Sequence, residues 1–114
     1  MLIVDDDSWF RLIAREMLTM GGFDVLGEAC SVSEAITAAR DLDPDVVLLD
    51  VHLPDGDGFS AARHLTRSGT RPTVVLCSVA AAEDFPVRSD DCGAVGFVTK
   101  SRLSADAVLE AVAA

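Results

Sequence analysis

Short apolar runs along this chain stop abruptly on charge. Leu2-Ile3-Val4 ends on Asp5-Asp6-Asp7, Val46-Val47-Leu48-Leu49 ends on Asp50, and Phe97-Val98-Thr99 ends on Lys100. Such runs, rich in β-branched residues and without polar alternation, read as strands buried on both faces, the habit of parallel sheets. Helical spacing fills the stretches between. The pattern predicts a strand over 2–5, then a helix from a Ser8 cap to about Met20 with Phe10, Ile13, Met17 and Met20 on one face, stopped by Gly21-Gly22. A strand over 23–29 follows. Ser31 and Glu34 have capping-box spacing and open a second helix that ends near Leu42, ahead of Asp43-Pro44.

A third strand is expected over 45–50, then the turn-rich loop Leu53-Pro54-Asp55-Gly56-Asp57-Gly58 and a helix from about Gly58 to Ser68, ended by Gly69. Strands over 73–77 and 95–99 come next, and Ser104 caps a last helix running to the end. Residues 80–92 fit worst. Ala80, Ala81, Ala82 and Glu83 begin a helix well, but Pro86, Ser89, Asp90 and Asp91 oppose it, so a short, kinked or mobile fourth helix is expected. The alternation as a whole predicts an α/β domain with a parallel sheet covered by helices on both faces.

Composition narrows the picture. With 114 residues, half of them apolar, one domain over 1–114 with a single core is expected, and no repeat or linker divides it. The formal charge of −10 repels a nucleic-acid backbone and attracts cations or basic surfaces, so direct nucleic-acid binding is not expected. No stretch has the makings of a signal-peptide core or a membrane span. The three cysteines, Cys30, Cys77 and Cys92, show no C-x-x-C spacing, which favours reduced thiols and a cytoplasmic location. Cys77 reads as a small buried apolar residue and Cys92, beside Gly93, as an exposed one.

Ligands of open α/β sheets bind at the carboxyl ends of the strands. That end collects Asp5, Asp6, Asp50, Lys100 and, past the fourth main strand, Ser78. Two adjacent acids beside a third repel one another unless a cation lies among them. A phosphoryl group arriving on a carboxylate needs an aimed oxygen, a divalent cation and donors for its remaining oxygens. Mg²⁺ keeps several waters and needs only two or three protein oxygens. Lys100 is a compact charge suited to phosphoryl oxygen.

With these residues in this order, and with Leu53-Pro54-Asp55-Gly56-Asp57-Gly58 behind the third strand, essentially the whole chain resembles the receiver domain of bacterial response regulators, the CheY-like superfamily of two-component signalling. The resemblance implies a doubly wound (βα)₅ fold of flavodoxin-like type with strand order 2-1-3-4-5. It implies Asp50 as phosphoacceptor, and Mg²⁺ held by Asp6 directly, by Asp5 mostly through water, by Asp50 and by the main-chain carbonyl of His52. Ser78 and Lys100 would contact the phosphoryl group, and Ser78 with Phe97 would form the switch. A sensor histidine kinase or a small acyl phosphate would be the donor. The resemblance admits a homodimer through the face of the fourth helix, fifth strand and last helix. It also admits a helix-turn-helix DNA-binding domain beyond these residues, absent here. Such a domain catalyses only its own phosphorylation and dephosphorylation, so it is not expected to be an enzyme in the ordinary sense. One departure is Ser101, where receivers usually place a proline after the lysine in a cis bond.

The same residues bear on other functions. A phosphorylation-independent interaction or dimerisation module is the alternative, motivated by Ser101 and the Pro86-bearing segment, and opposed by the intact acids, Ser78 and Lys100. A metal-dependent phosphatase with an aspartyl-phosphate intermediate would place an acid two residues after its nucleophile, where His52 stands. The chain lacks G-x-x-x-x-G-K-[ST] and a G-x-G-x-x-G after its first strand, and Asp55-Gly56-Asp57-Gly58 lacks the spacing of an EF-hand. His52 is a candidate for tuning hydrolysis or an inert surface residue, His64 is expected to face solvent, and Trp9 lies either beside the metal or on the surface of the first helix.

Overall fold

The computed structural model describes residues 1–67, 71–85 and 89–113. In chain order its elements are β1 (Leu2–Val4), α1 (Ser8–Met20), β2 (Gly27–Ala29), α2 (Val32–Leu42), β3 (Val46–Asp50), β4 (His52–Leu53), β5 (Gly56–Asp57), α3 (Gly58–Thr66), β6 (Thr73–Ser78), β7 (Gly96–Thr99) and α4 (Ala105–Ala113). Short 3₁₀ turns occupy Ala82–Asp84, Ser89–Cys92 and Lys100–Arg102.

Five strands form one sheet in the order β2-β1-β3-β6-β7, every pairing parallel. Counted over the main strands alone this is the expected order 2-1-3-4-5. Alternate side chains feed two cores, as the pleat requires. Leu2, Val4, Val47, Leu49, Val74 and Leu76 pack with α2 and α3, while Ile3, Leu48, Val75, Cys77 and Val98 pack with α1 and α4. Apolar runs buried on both faces therefore did mark central strands.

Several boundaries differ from expectation. The strand expected over 23–29 is confined to Gly27–Ala29. Residues ahead of it are tied elsewhere: Phe23 N–H donates to Leu18 O, Leu26 N–H to Met1 O, and the amino terminus to Asp24 O. The first helix is capped by Asp7 rather than Ser8, because the Asp7 carboxylate accepts from the N–H groups of Trp9 and Phe10. Its buried residues are Ala14 and Leu18, with Phe10 and Met17 half-buried, whereas Ile13 and Met20 are exposed. The small alanine lets the helix approach the sheet, and the bulky residues chosen by spacing straddle the true face. Ser31 caps α2 through Glu34 N–H as expected, but the Glu34 carboxylate turns to Cys30 N–H and Sγ.

The loop expected over 53–58 contains a small antiparallel hairpin, β4 with β5, in which His52 pairs with Asp57 and Leu53 with Gly56. The third helix closes at Thr66; Ser68 and Gly69, the expected stop, lie outside the described residues. In the segment 80–92 no α-helix forms among the described residues, only the two 3₁₀ turns, and Pro86 lies outside them. Ser104 does cap α4, accepting from Ala107 N–H; Ala114 lies outside the described residues. Cys92 is buried, contrary to expectation, and Cys77 is buried as expected, with burial pushing its thiol up to about 12. Among the described residues no helix is long and apolar enough to cross a membrane.

Candidate functional site

Parallel register brings the ends of β1, β3, β6 and β7 to one edge of the sheet. Asp50 lies opposite Cys77, one residue short of Ser78, and Ser78 lies opposite Thr99, one residue short of Lys100. Asp5 follows β1 directly and its N–H continues the ladder to Ala29 O. Ligand oxygens of Asp5, Asp6 and Asp50 all fall within 4.8 Å of one another. Asp5 is 1% exposed and Asp50 6%, while Asp6 faces solvent.

Charge is unbalanced here. Lys100 Nζ lies 2.6 Å from Asp5 Oδ2 and 3.8 Å from Asp50 Oδ2. It also stands 4.2 Å from the centre of the Phe10 ring, a cation–π contact. One lysine thus faces three acids. Burial alone would lower the lysine's pKa, but Asp5 and Asp50 outweigh it and the net direction is up. Asp50 is pushed up to about 6, first by burial, then by the charge of Asp5; Lys100 and the main-chain N–H of His52 work against the rise. Asp5 Oδ2 is buried, with Lys100 Nζ as its close charged neighbour at 2.6 Å. An oxygen-lined, negatively charged pocket fits a hard divalent cation.

The backbone is held as firmly as the acids. Asp5 Oδ1 accepts from Asp7 N–H, and Asp5 O accepts from Arg11 Nη1 at 2.6 Å. Glu28 grips Arg11 Nε at 2.9 Å and Arg15 Nε at 2.7 Å; hydrogen bonds from Arg15 and then Arg11 hold its carboxyl below the usual range. Past the third strand, Val51 N–H donates to Cys77 O and Gly58 N–H to Val51 O. Glycine is required at 58, because a Cβ there would run into the carbonyl oxygen of Asp50. The hairpin is latched at two further points. Asp55 accepts from Val32 N–H at 2.7 Å and Ser33 N–H at 3.1 Å, and these bonds hold its carboxyl below the usual range. Asp57 caps α3 through Ser60 N–H.

The sequence-derived residues therefore meet. Asp5, Asp6, Asp50 and Lys100 form one cluster, and His52 begins the hairpin beside it. Ser78 is 1% exposed at the strand end, and its Oγ accepts from Ala80 N–H at 3.3 Å. Phe97 is half-buried and packed on the core shared with α2 and α3. Trp9 is 68% exposed on the first turn of α1; His52 and His64 are exposed as well. The cis peptide among the described residues is Arg71–Pro72, and Lys100–Ser101 is not one. Sequence reading missed Arg11, Asp55 and Phe85. Asp55 and Phe85 act on elements distant in sequence, which leave no local signal. Arg11 stands six residues after Asp5, a spacing that becomes informative only once the strand-to-helix turn is known.

A family model described as response regulator receiver domain matches residues 1–113. The chain is 30% identical to the chemotaxis protein CheY of Bacillus subtilis, over 97% of this chain and 92% of that protein. It is 41% identical to the response regulator GacA of Pseudomonas viridiflava, over 87% of this chain but 47% of that one, so it spans about half the length of GacA. Among solved structures, the signal receiver domain of a NarL response regulator from Mycobacterium tuberculosis superposes with a TM-score of 0.84 at 31% identity, covering 96% of this chain and 91% of that one.

Proposed function

We propose that this chain, which belongs to the response regulator receiver domain family, takes a phosphoryl group on Asp50 and converts that charge into a change of surface. The observation that carries the reading is the acidic triad at the sheet edge, Asp5 and Asp50 buried and Asp6 exposed, with Lys100 as its paired cation.

The carboxylate of Asp50 is the nucleophile. Its oxygen forms a bond to phosphorus as the bond from phosphorus to the donor breaks, giving an acyl phosphate. A sensor histidine kinase is the donor this reading names, and a small acyl phosphate can replace it. Asp6 and Asp50 directly, Asp5 mostly through water, and the carbonyl of His52 would hold Mg²⁺, which offsets the charge accumulating on the transferred group. Lys100 offers its ammonium to a phosphoryl oxygen, exchanging part of its attraction to Asp5 for the new charge. Ser78 gives up its contact with Ala80 N–H to reach the same group, and Phe97 follows into the space released. The face that changes is formed by β7, α4 and the segment after Ser78. A second copy, or a DNA-binding domain outside these residues, fits that face as the receiver of the signal. The reaction is the domain's own phosphorylation and loss of phosphate, in a cytoplasmic setting.

Intact mass after incubation with a small acyl phosphate tests the reading. A Mg²⁺-dependent gain of one phosphoryl group, absent in Asp50→Asn, is expected. No gain by folded protein that binds Mg²⁺ would restrict the donor to a kinase. No gain and no Mg²⁺ binding would favour a phosphorylation-independent interaction module.

A further inference from the structure

The 3₁₀ turn Ala82–Asp84 is followed by Phe85, and three rings meet on that residue. The Phe85 ring centre lies 5.7 Å from His52, 5.6 Å from Phe59 and 5.8 Å from Phe97, at interplanar angles of 47°, 67° and 48°. All three are within the range and tilt of favourable ring pairs. The partners come from separate elements. His52 stands two residues past Asp50 on β4, Phe59 in the first turn of α3, and Phe97 three residues before Lys100 on β7. Phe85 is the ring common to all three pairs, half-buried against the core that also takes Phe59 and Phe97.

We propose that Phe85 is a positioning residue: it holds Phe97 in its resting place and ties that place to the acceptor loop through His52. The proposal rests on the reading of Asp50 as acceptor and of Phe97 as the ring that moves. A shift of Phe97 towards Ser78 gives up a contact that exists only in the resting arrangement. Contacts made in one of two states and not the other set the balance between them. The hydroxyl of Ser78 is held in the same stretch, by Ala80 N–H, five residues before Phe85. Freeing Ser78 and releasing Phe97 therefore act on one short segment, 78–85. Phe59 supports Phe85 from the side and has no part in the movement.

The arrangement in which Ser78 meets the phosphoryl group is the one favoured when Phe97 has left Phe85. Removing the Phe85 ring populates it in advance, and phosphorylation should speed up. The experiment compares the chain as it stands with Phe85→Leu, Phe97→Leu and the double variant. Each is given acetyl phosphate and Mg²⁺, initial rates are read by intact mass, and thermal unfolding checks the fold. Phe85→Leu should raise the rate about threefold or more. That gain should disappear when Phe97 is already leucine, because sites acting through one contact are not additive. Phe85→Tyr, which restores a ring, should return the rate to that of the unaltered chain. If Phe85→Leu unfolds, Phe85→Met takes its place. An unchanged or slower rate, or an equal gain in both backgrounds, overturns the proposal. A chain that, before any substitution, neither gains a phosphoryl group nor binds Mg²⁺ removes the acceptor reading itself, and the proposal with it; one that binds Mg²⁺ but takes no phosphoryl group from acetyl phosphate is compared in the same way with a histidine kinase as donor.

Discussion

Six aspartates lie at one end of the sheet, and they divide into two sets of three. Asp5, Asp6 and Asp50 turn their oxygens towards one another, within 4.8 Å. Asp7, Asp55 and Asp57 each turn theirs to main-chain N–H groups at the start of a helix: α1, α2 and α3 respectively. The sets interleave along the chain, and Asp6 and Asp7 are neighbours. Residue type does not separate them; the backbone does. A carboxylate with two N–H groups in front of it is satisfied and stabilises a helix. Buried Asp50, facing another acid, has its pKa raised by burial and by the charge of Asp5. The second set positions helices and the hairpin β4–β5, and the first set concentrates charge at the sheet edge.

The sharpest break between the sets is pH dependence. Asp50 is raised to about 6, so between about pH 4 and pH 6 the folded chain keeps a proton that the unfolded chain has lost. In the absence of Mg²⁺, stability then falls as pH rises through that window, by roughly 2–3 kcal/mol in all. Asp50→Asn removes this term. The stability difference between the two proteins, from denaturant titrations in chelator, should grow from pH 4 to 6 and level off above. A difference flat in pH would show that burial does not oppose ionisation at Asp50.

Metal affinity separates the sets next. Asp6→Asn should weaken Mg²⁺ binding by at least ~10-fold in a calorimetric titration at neutral pH. Asp7→Asn, one residue away, should leave it nearly unchanged. Equal losses would mean that the two acids belong to one site. The caps give a smaller effect of the opposite kind. Asp57→Ala should cost about 1 kcal/mol of unfolding free energy while Mg²⁺ affinity holds; a cost near zero would leave the cap without a role. Smallest of all is Trp9. Its exposure predicts that Trp9→Ser changes stability by less than about 0.5 kcal/mol. A large loss of stability or of Mg²⁺ affinity would place Trp9 in the site after all.

Much of this was legible in the residues. β3 and β6 were found almost to the residue, because strands buried on both faces have no polar interruptions and end where water and charge begin. The meeting of Asp5, Asp6, Asp50 and Lys100 followed from the same ends. Legibility failed where a role depends on distance in space. The face of α1 was misread by its bulky residues, because close approach to a sheet is decided by small side chains such as Ala14. The hairpin His52–Asp57 escaped notice because two-residue strands carry no period. Asp57 caps the helix that follows it directly, whereas Asp55 caps a helix that begins 23 residues earlier. Phe85 lay in a segment whose sequence began a helix and then opposed it, with nothing to single out the ring.

The sequence alone determined the parallel sheet, its buried strands and the chemical kinds of group at its edge, since hydrophobic burial and strand period are local properties of the chain. The tertiary structure alone decided which acid faces an N–H and which faces another acid, where the lone lysine of that edge points, and which rings share Phe85. Those outcomes depend on distances between segments far apart in sequence, and only packing sets such distances.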